Sequence, residues 1–121
     1  MKLQTIQYGI QDGIAVITFD EENSPVNTMC LQWQDDLDAV AAQVAKDKDA
    51  IRGIILASAK STFFAGADLK GVMRMQPEDA RRVFVEIERI KKNFRTIETL
   101  GKPVVSCLNG TALGGGWEVA L

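Results

Sequence analysis

The fold is decided by residues 104–118, VVSCLNGTALGGGWE, in which an apolar run is followed by a turn and then, three residues later, by three glycines. Residues 103–108 are apolar and partly β-branched, and they predict a buried strand. The pair Asn109-Gly110 predicts a turn. A helix is expected to begin at the end of the glycine run and to include residues 117–121. This stretch therefore predicts a strand, a loop of small residues and a helix.

The same order of elements occurs earlier in the chain. A strand predicted at residues 53–57 leads into residues 63–70, FFAGADLK. Ligands of parallel-sheet proteins gather beyond the carboxyl ends of the strands, and free N–H groups at helix starts attract negative charge. Two such N–H groups converging on one carbonyl oxygen would form an oxyanion hole, with glycine or alanine letting the ligand approach. The alternative is that both loops only make tight turns and close helix packing.

Two carboxylates lie beside these loops. Glu118 follows the glycine run in an otherwise apolar stretch, where burial would shift its pKa and suit it to acid/base catalysis. Its alternative role is to stabilise the amino terminus of the last helix. Asp68 immediately precedes residues 69–72 and is interpreted as a helix cap in preference to a catalyst.

The amino-terminal half predicts a hairpin, a helix and a strand. Residues 3–8 and 14–19 flank the turn pair Asp12-Gly13, which is typical of a β-hairpin. A helix over residues 28–45, capped by Asn27 or Thr28, follows from apolar residues at helical spacing. These residues are Cys30, Trp33, Leu37, Val40 and Val44. Residues 53–57 predict a strand buried on both faces in the interior of a sheet.

The clearest helix in the sequence opens at Pro77 and ends before Gly101. One apolar stripe along it comprises Ala80, Val83, Phe84, Ile87, Ile90, Phe94 and Ile97. The other face carries Glu78, Arg82, Glu86, Glu88, Lys92 and Arg95. We interpret that face as a solvated surface and not as a functional acid cluster, with Glu88 and Lys92 at a favourable spacing for an ion pair.

The composition excludes several classes of function. The chain has 121 residues, is 46% hydrophobic and carries a formal net charge of -2, which suits one globular domain or a piece of one. No basic cluster marks a nucleic-acid partner. The chain contains no histidine, which excludes Ser-His and Cys-His nucleophile pairs and the usual zinc sites, so no metal is expected. Proton transfer must fall mainly to carboxylates.

The cysteines and the hydropathy of the sequence indicate the cellular compartment in which the chain is expected. Cys30 and Cys107 lie among apolar residues and do not make the disulfide framework of a small secreted protein, so a reduced, cytoplasmic chain is expected. Residues 1–8 lack the features of a signal peptide. A membrane-spanning helix needs about 18 consecutive apolar residues, and no run in this sequence is close to that length. No membrane insertion is therefore expected.

The glycine run also invites a nucleotide-binding interpretation. Residues 114–119 lack the third glycine of the G-x-G-x-x-G fingerprint, which makes a nicotinamide-dinucleotide domain the weakest alternative. A P-loop is excluded, because no Gly-Lys-Ser/Thr follows the glycines.

Four segments of the chain resemble the crotonase superfamily, specifically enoyl-CoA hydratases and the hydratase part of multifunctional fatty-oxidation proteins. They are residues 13–19, Val26-Asn27-Thr28, residues 63–69 and residues 102–118. The resemblance implies an α/β fold, a spiral of repeated strand-strand-helix units, with a trimeric core as the usual assembly. An apolar helix start with no cap ends the sequence, so residues 1–121 are interpreted as the truncated amino-terminal part of one such domain.

The resemblance also implies roles for individual residues. Ala67 and Gly115 match the positions whose N–H groups hold the thioester oxygen, and Glu118 matches the first of two hydratase glutamates. The second glutamate is implied about twenty residues further on, beyond Leu121, so residues 1–121 alone are expected to be inactive.

The CoA portion of the substrate is implied to contact the earlier loop. Ala65 and Leu69 match positions lining the adenine pocket, and Lys70 either lies near a CoA phosphate or is simply solvated. Phe64 and Trp117 depart from the family pattern, and either side chain would narrow the acyl pocket.

The expected function is hydration of trans-2-enoyl-CoA thioesters in fatty-acid β-oxidation. Glu118 would orient and deprotonate the water while negative charge passes to the thioester oxygen. Hydration needs no cofactor, since CoA is part of the substrate, and NAD would be required only by a downstream dehydrogenase domain. The expected partners are the acyl-CoA substrate and other copies of the chain or a multienzyme complex. The alternatives are an enoyl-CoA isomerase and a non-catalytic acyl-CoA-binding or assembly module.

Overall fold

The computed structural model describes residues 2–121, which build one four-stranded sheet in the order β1-β2-β3-β4 with helices around it. The strands are β1 (Ile6–Gln11), β2 (Ile14–Phe19), β3 (Gly53–Ser58) and β4 (Val104–Ser106). The helices are α1 (Leu31–Lys46), α2 (Leu69–Met73), α3 (Ala80–Glu98) and α4 (Gly115–Ala120). Two 3-10 turns cover Lys48–Ala50 and Pro77–Asp79.

The predicted amino-terminal hairpin is confirmed, with its first strand shifted along the chain. β1 and β2 pair antiparallel, Ile6 opposite Phe19 and Gln11 opposite Ile14. Asp12 and Gly13 have φ values of 53° and 79°, so both central residues of the turn adopt the left-handed conformation that a type I′ hairpin turn requires. Because the turn contains only these two residues, β1 has to end at Gln11.

The remaining strands run parallel to β2, which brings their carboxyl ends to one edge of the sheet. Phe19 pairs with Ser58, and Leu56 pairs with Ser106. The interior position predicted for β3 is confirmed. The burial predicted for β4 is wrong: it is a three-residue edge strand, and Val105 is 56% exposed. An edge strand has a neighbouring strand on one side only, and this leaves more of it open.

The hydrophobic core lies between α1 and the sheet. The buried apolar residues of α1 are Trp33, Leu37, Val40, Ala41 and Val44. Phe19 at the end of β2 meets Phe63 and Phe64 in edge-on contacts, with ring centroids 6.0 and 5.3 Å apart. These aromatic contacts anchor the loop after β3 in the core.

The cap predicted for α1 is wrong. The helix starts at Leu31, and Cys30 occupies the cap position, but its side chain makes no capping hydrogen bond to the helix. Asn27 is buried in a hydrogen-bond network four residues before the helix, and the Thr28 hydroxyl donates to Glu21 at 2.7 Å. Both side chains are therefore engaged by tertiary contacts and unavailable to the helix start.

The long helix α3 is confirmed, but most of its apolar stripe remains open. Ile97 is buried, whereas Phe84 is 63% exposed and Ile87 is 49% exposed. The helix is joined to α1 by polar contacts, among them Arg89 Nε donating to Asp38 Oδ2 at 2.7 Å.

The charged face of α3 is largely exposed, as predicted, with one difference in its ion pairing. Glu88 pairs with Lys91 at 2.9 Å and not with Lys92. Three-residue and four-residue spacings both bring side chains together on a helix, so spacing alone does not choose between them.

Candidate active site

Two loops meet at the carboxyl edge of the sheet. We call residues 59–68, which follow β3, the first loop, and residues 107–114, which follow β4, the second loop. Phe64 and Ala112 form a parallel bridge between them. The Phe63 N–H donates to the Thr111 carbonyl at 2.9 Å, and the Leu113 N–H donates to the Phe64 carbonyl at 3.0 Å. The two loops are therefore joined by main-chain hydrogen bonds, as a continuation of the sheet.

The loops approach most closely at Gly66. Its φ is 94°, and a Cβ placed there would lie 2.7 Å from the Leu113 carbonyl oxygen and 3.4 Å from the Gly115 nitrogen. Ordinary carbon–oxygen contacts are longer than 2.7 Å, so only glycine fits both the conformation and the space. This contact brings the residue before Ala67 against the start of α4, where Gly115 lies.

The two main-chain donors implied for the oxyanion hole have no acceptor among residues 2–121. Neither the Ala67 N–H nor the Gly115 N–H donates to a backbone or side-chain group in that part of the chain. Gly115 is the first residue of α4, where an N–H has no partner within the helix. Free main-chain donors of this kind can stabilise a developing oxyanion.

Glu118 lies in the first turn of α4, but the burial predicted for it is wrong. Its side chain is exposed, while Gly116 and Val119 are the residues of α4 that face inward. Gly116 is packed so closely that a Cβ there would lie 2.5 Å from the Phe64 carbonyl oxygen. Packing of this face of α4 against the first loop turns Glu118 outward. Glu118 lies near the amino terminus of α4, a position that also suits its alternative role, in which the carboxylate stabilises the start of that helix.

A cavity of about 780 Å³ opens between α3, the ends of β3 and β4, and α4. Met29, Gly115 and Glu118 border it, so the free donor and the carboxylate share one space. Phe64 and Trp117 do not border it. Phe64 is fully buried in the core and Trp117 is 48% exposed, so neither narrows this cavity.

The residues implied to bind CoA lie along the first loop and the start of α2. Ala65 is half-buried and donates its N–H to the Asn27 carbonyl at 2.8 Å. Leu69 is 72% exposed, and Lys70 beside it is exposed. Asp68 occupies the cap position of α2, as predicted, but its side chain makes no capping hydrogen bond.

Sequence reasoning missed the contribution of residues 27–29. The sequence predicts Asn27 or Thr28 as a helix cap, and it indicates no role for Met29. The Met29 N–H donates to the Gly66 carbonyl at 2.9 Å, and its side chain lies against Gly115. No local pattern signals such contacts, because they join residues far apart in the sequence.

Within residues 2–121, no three His, Cys, Asp or Glu side chains are grouped as a metal site would require. The same part of the chain contains no helix with the length and apolar character needed to cross a membrane.

Comparison with known proteins identifies relatives that match most of the described residues. Residues 9–121 match the family model described as enoyl-CoA hydratase/isomerase. The fatty acid oxidation complex subunit alpha of Acinetobacter baumannii strain AYE is 33% identical over 112 residues, which cover 93% of this chain and 16% of that protein. The protein of the same name from Shewanella amazonensis is 35% identical, covering 91% of this chain and 15% of its own length. The chain thus spans about a sixth of these relatives.

Solved structures share the fold. The enoyl-CoA hydratase from Bacillus anthracis superposes with a TM-score of 0.81 at 28% identity, covering 97% of this chain and 44% of that one. A structure from Geobacillus kaustophilus gives a TM-score of 0.85 at 25% identity, covering 99% of this chain and 44% of its own. The α/β fold expected from the resemblance is confirmed by these neighbours.

Proposed function

The chain belongs to the enoyl-CoA hydratase/isomerase family, and from that premise we propose that its activity is the hydration of trans-2-enoyl-CoA thioesters in fatty-acid oxidation. The observation that carries the proposal is the pair of free N–H groups at Ala67, in the first loop, and at Gly115, the first residue of α4 after the second loop. Glu118 follows one turn later and borders the same cavity as Gly115.

We propose that residues 1–121 form the amino-terminal part of one crotonase-like domain. The matches cover nearly all of this chain but 44% of the solved hydratase chain, which supports this division. The other glutamate of a hydratase pair is implied by the resemblance about twenty positions after Glu118. The experiments below therefore use the full-length protein.

The proposed reaction places charge where the loops can stabilise it. The oxygen of water bonds to the β-carbon, and the electrons of the carbon–carbon double bond move through the α-carbon to the thioester oxygen. The Ala67 and Gly115 N–H groups donate to that oxygen, and each donor is worth about 100-fold to 1,000-fold in rate. Glu118 accepts a proton from the water, and the α-carbon gains a proton from the second carboxylate. The step needs no cofactor.

The remaining roles are also proposals. Ala65, Leu69 and Lys70 are assigned to the CoA portion of the substrate, and the exposed positions of Leu69 and Lys70 leave them open to such a ligand. Assembly as a homo-oligomer or within a multienzyme complex is supported by relatives that are named as subunits of a fatty acid oxidation complex. A reducing, cytoplasmic compartment suits the free thiols of Cys30 and Cys107.

Gly115 offers a direct test of the oxyanion hole. Gly115→Pro removes the N–H at the first position of a helix, where proline fits the backbone. Gly115→Ala adds a Cβ in the same place and keeps the N–H, so it controls for contact with Met29. We expect the proline variant to hydrate crotonyl-CoA about 100-fold more slowly than the alanine variant. Equal rates in the two variants would refute the role of this donor.

Glu118 tests the reaction itself. Glu118→Gln keeps the size of the side chain and removes its ability to accept a proton, so hydration of crotonyl-CoA should slow by about 100-fold or more while binding of the CoA ester changes little. Trp117→Gln, at a neighbouring exposed position, is the control. If Glu118→Gln hydrates at the original rate, the assignment fails and an isomerase or a non-catalytic binding module is favoured.

A further inference from the structure

Asn27 ties the ends of two strands to the first loop. Its side chain is 1% exposed, and its Oδ1 accepts the N–H of Glu21 at 3.0 Å. Its Nδ2 lies 3.0 Å from Ser58 Oγ, 3.1 Å from the Phe63 carbonyl and 3.2 Å from the Phe19 carbonyl. A buried amide engaged at both its oxygen and its nitrogen is held in one orientation. Asn27 is therefore held rigidly next to the proposed site.

The main chain after Asn27 holds the first loop just before its free donor. The Asn27 carbonyl accepts the Ala65 N–H at 2.8 Å, and the Met29 N–H donates to the Gly66 carbonyl at 2.9 Å. These two hydrogen bonds lie on either side of the Ala65–Gly66 peptide. Ala67 follows directly, so residues 27–29 restrict where its N–H points.

The side chain of Met29 reaches the start of α4, directly after the second loop. A Cβ placed on Gly115 would lie 2.6 Å from Met29 Cε and 2.9 Å from Met29 Sδ, so the thioether lies against the Gly115 backbone. Met29 is half-buried against the core and borders the cavity shared by Gly115 and Glu118. Met29 thus contacts the first loop through its main chain and the start of α4 through its side chain.

We propose that Met29 is a positioning residue that sets the separation of the Ala67 and Gly115 N–H groups. The proposal rests on the proposed function, in which both donors bind one oxygen. Such donors act when they lie about 2.7–3.1 Å from that oxygen. A misplacement of about 1 Å can cost about 100-fold in rate. A variant without the thioether keeps both N–H groups. It loses the contact that holds the Gly115 backbone at a set distance from the first loop.

The experiment compares Met29→Ala with two controls in the full-length protein. We expect Met29→Ala to lower kcat for crotonyl-CoA hydration by about 10-fold to 100-fold, with KM changed by less than about threefold. Met29→Leu conserves most of the volume and should recover most of the lost rate. Val44→Ala removes a buried side chain of α1 that belongs to neither loop, and it should lower stability with kcat unchanged.

The outcomes separate this proposal from the proposed function. If the unmutated protein does not hydrate crotonyl-CoA, the proposed function fails before any variant is compared. If the unmutated protein is active and Met29→Ala retains the kcat of Val44→Ala, the positioning role is wrong.

A double-mutant measurement supplies a second criterion that does not depend on Met29→Ala alone. Gly115→Ala should cost less rate in a Met29→Val background than in the original protein, because the shorter side chain makes room for the added Cβ. Equal costs in the two backgrounds overturn the proposal, and the comparison remains possible if Met29→Ala fails to fold.

Discussion

Gly66→Ala tests the closest contact between the two loops. At a φ of 94° an alanine would occupy a conformation that side chains rarely adopt, at a cost of about 1–2 kcal/mol. The added Cβ would also lie 2.7 Å from the Leu113 carbonyl oxygen, a backbone atom that cannot rotate away. Overpacking of this kind costs about 1–3 kcal/mol. We therefore expect the free energy of unfolding to fall by about 2–5 kcal/mol.

Gly101→Ala is the matched control for this prediction. Gly101 has a φ of 89°, and an added Cβ would meet nothing within 4 Å. The Gly101→Ala variant should therefore lose only the stability that the unfavourable backbone conformation costs, about 1–2 kcal/mol. The difference between the two variants isolates the contact between the loops.

Urea unfolding, followed by the fluorescence of buried Trp33 and by circular dichroism, measures both variants. The predicted order is a larger loss for Gly66→Ala than for Gly101→Ala, with the difference about 1–3 kcal/mol. If the two variants lose the same stability within about 0.5 kcal/mol, the close contact between Gly66 and the Leu113 carbonyl is contradicted. The proposed geometry of the oxyanion hole would then lose its structural support.

Two further predictions concern contacts that hold the elements around the site. Burial alone would raise the pKa of the Asp36 carboxyl, but hydrogen bonds from Thr5, Gln32 and the Gln4 amide outweigh it and lower the pKa below its ordinary value. A lowered pKa adds stability above the ordinary value, near 4, and that stability is lost as the pH falls through the folded-state pKa. Asp36→Asn should therefore be less stable than the original protein at pH 7, with the gap in urea midpoint narrowing below about pH 4, and a constant gap would contradict the assignment. Arg89→Lys should lower stability by about 1 kcal/mol, because lysine cannot reproduce the contacts of the guanidinium with Asp35 and Asp38 on α1. Arg95→Lys, in an ion pair with Glu98 whose two side chains are 72% and 70% exposed, should change almost nothing, and equal losses at the two positions would show that Arg89 does not join α3 to α1.

The sequence by itself determined the order and type of the elements. The β-branched run at residues 14–19 next to Asp12-Gly13 specifies a hairpin, because Asp-Gly favours the two-residue type I′ turn, in which both residues have positive φ. The helical repeat after Pro77 specifies α3. These are local properties, since a repeat or a turn depends on residues within a few positions of one another.

Family resemblance added the location of the proposed site to what the local patterns show. The residue types around Ala67 and Gly115 permit an oxyanion hole or ordinary tight turns, and periodicity alone does not choose between them. The structure shows the two loops joined by main-chain bonds, with both N–H groups lacking an acceptor within residues 2–121.

Tertiary structure alone decided how these elements use their side chains. Asn27 looked like a helix cap, yet its amide is engaged by Ser58 and by carbonyl groups of the neighbouring strand and loop. Glu118 was expected to be buried, yet packing of Gly116 and Val119 turns it outward. Met29 carried no signal in the sequence, and it lies against Gly115 only because the fold brings together residues separated by 86 positions. Such contacts depend on the path of the whole chain, and a local pattern therefore cannot specify them.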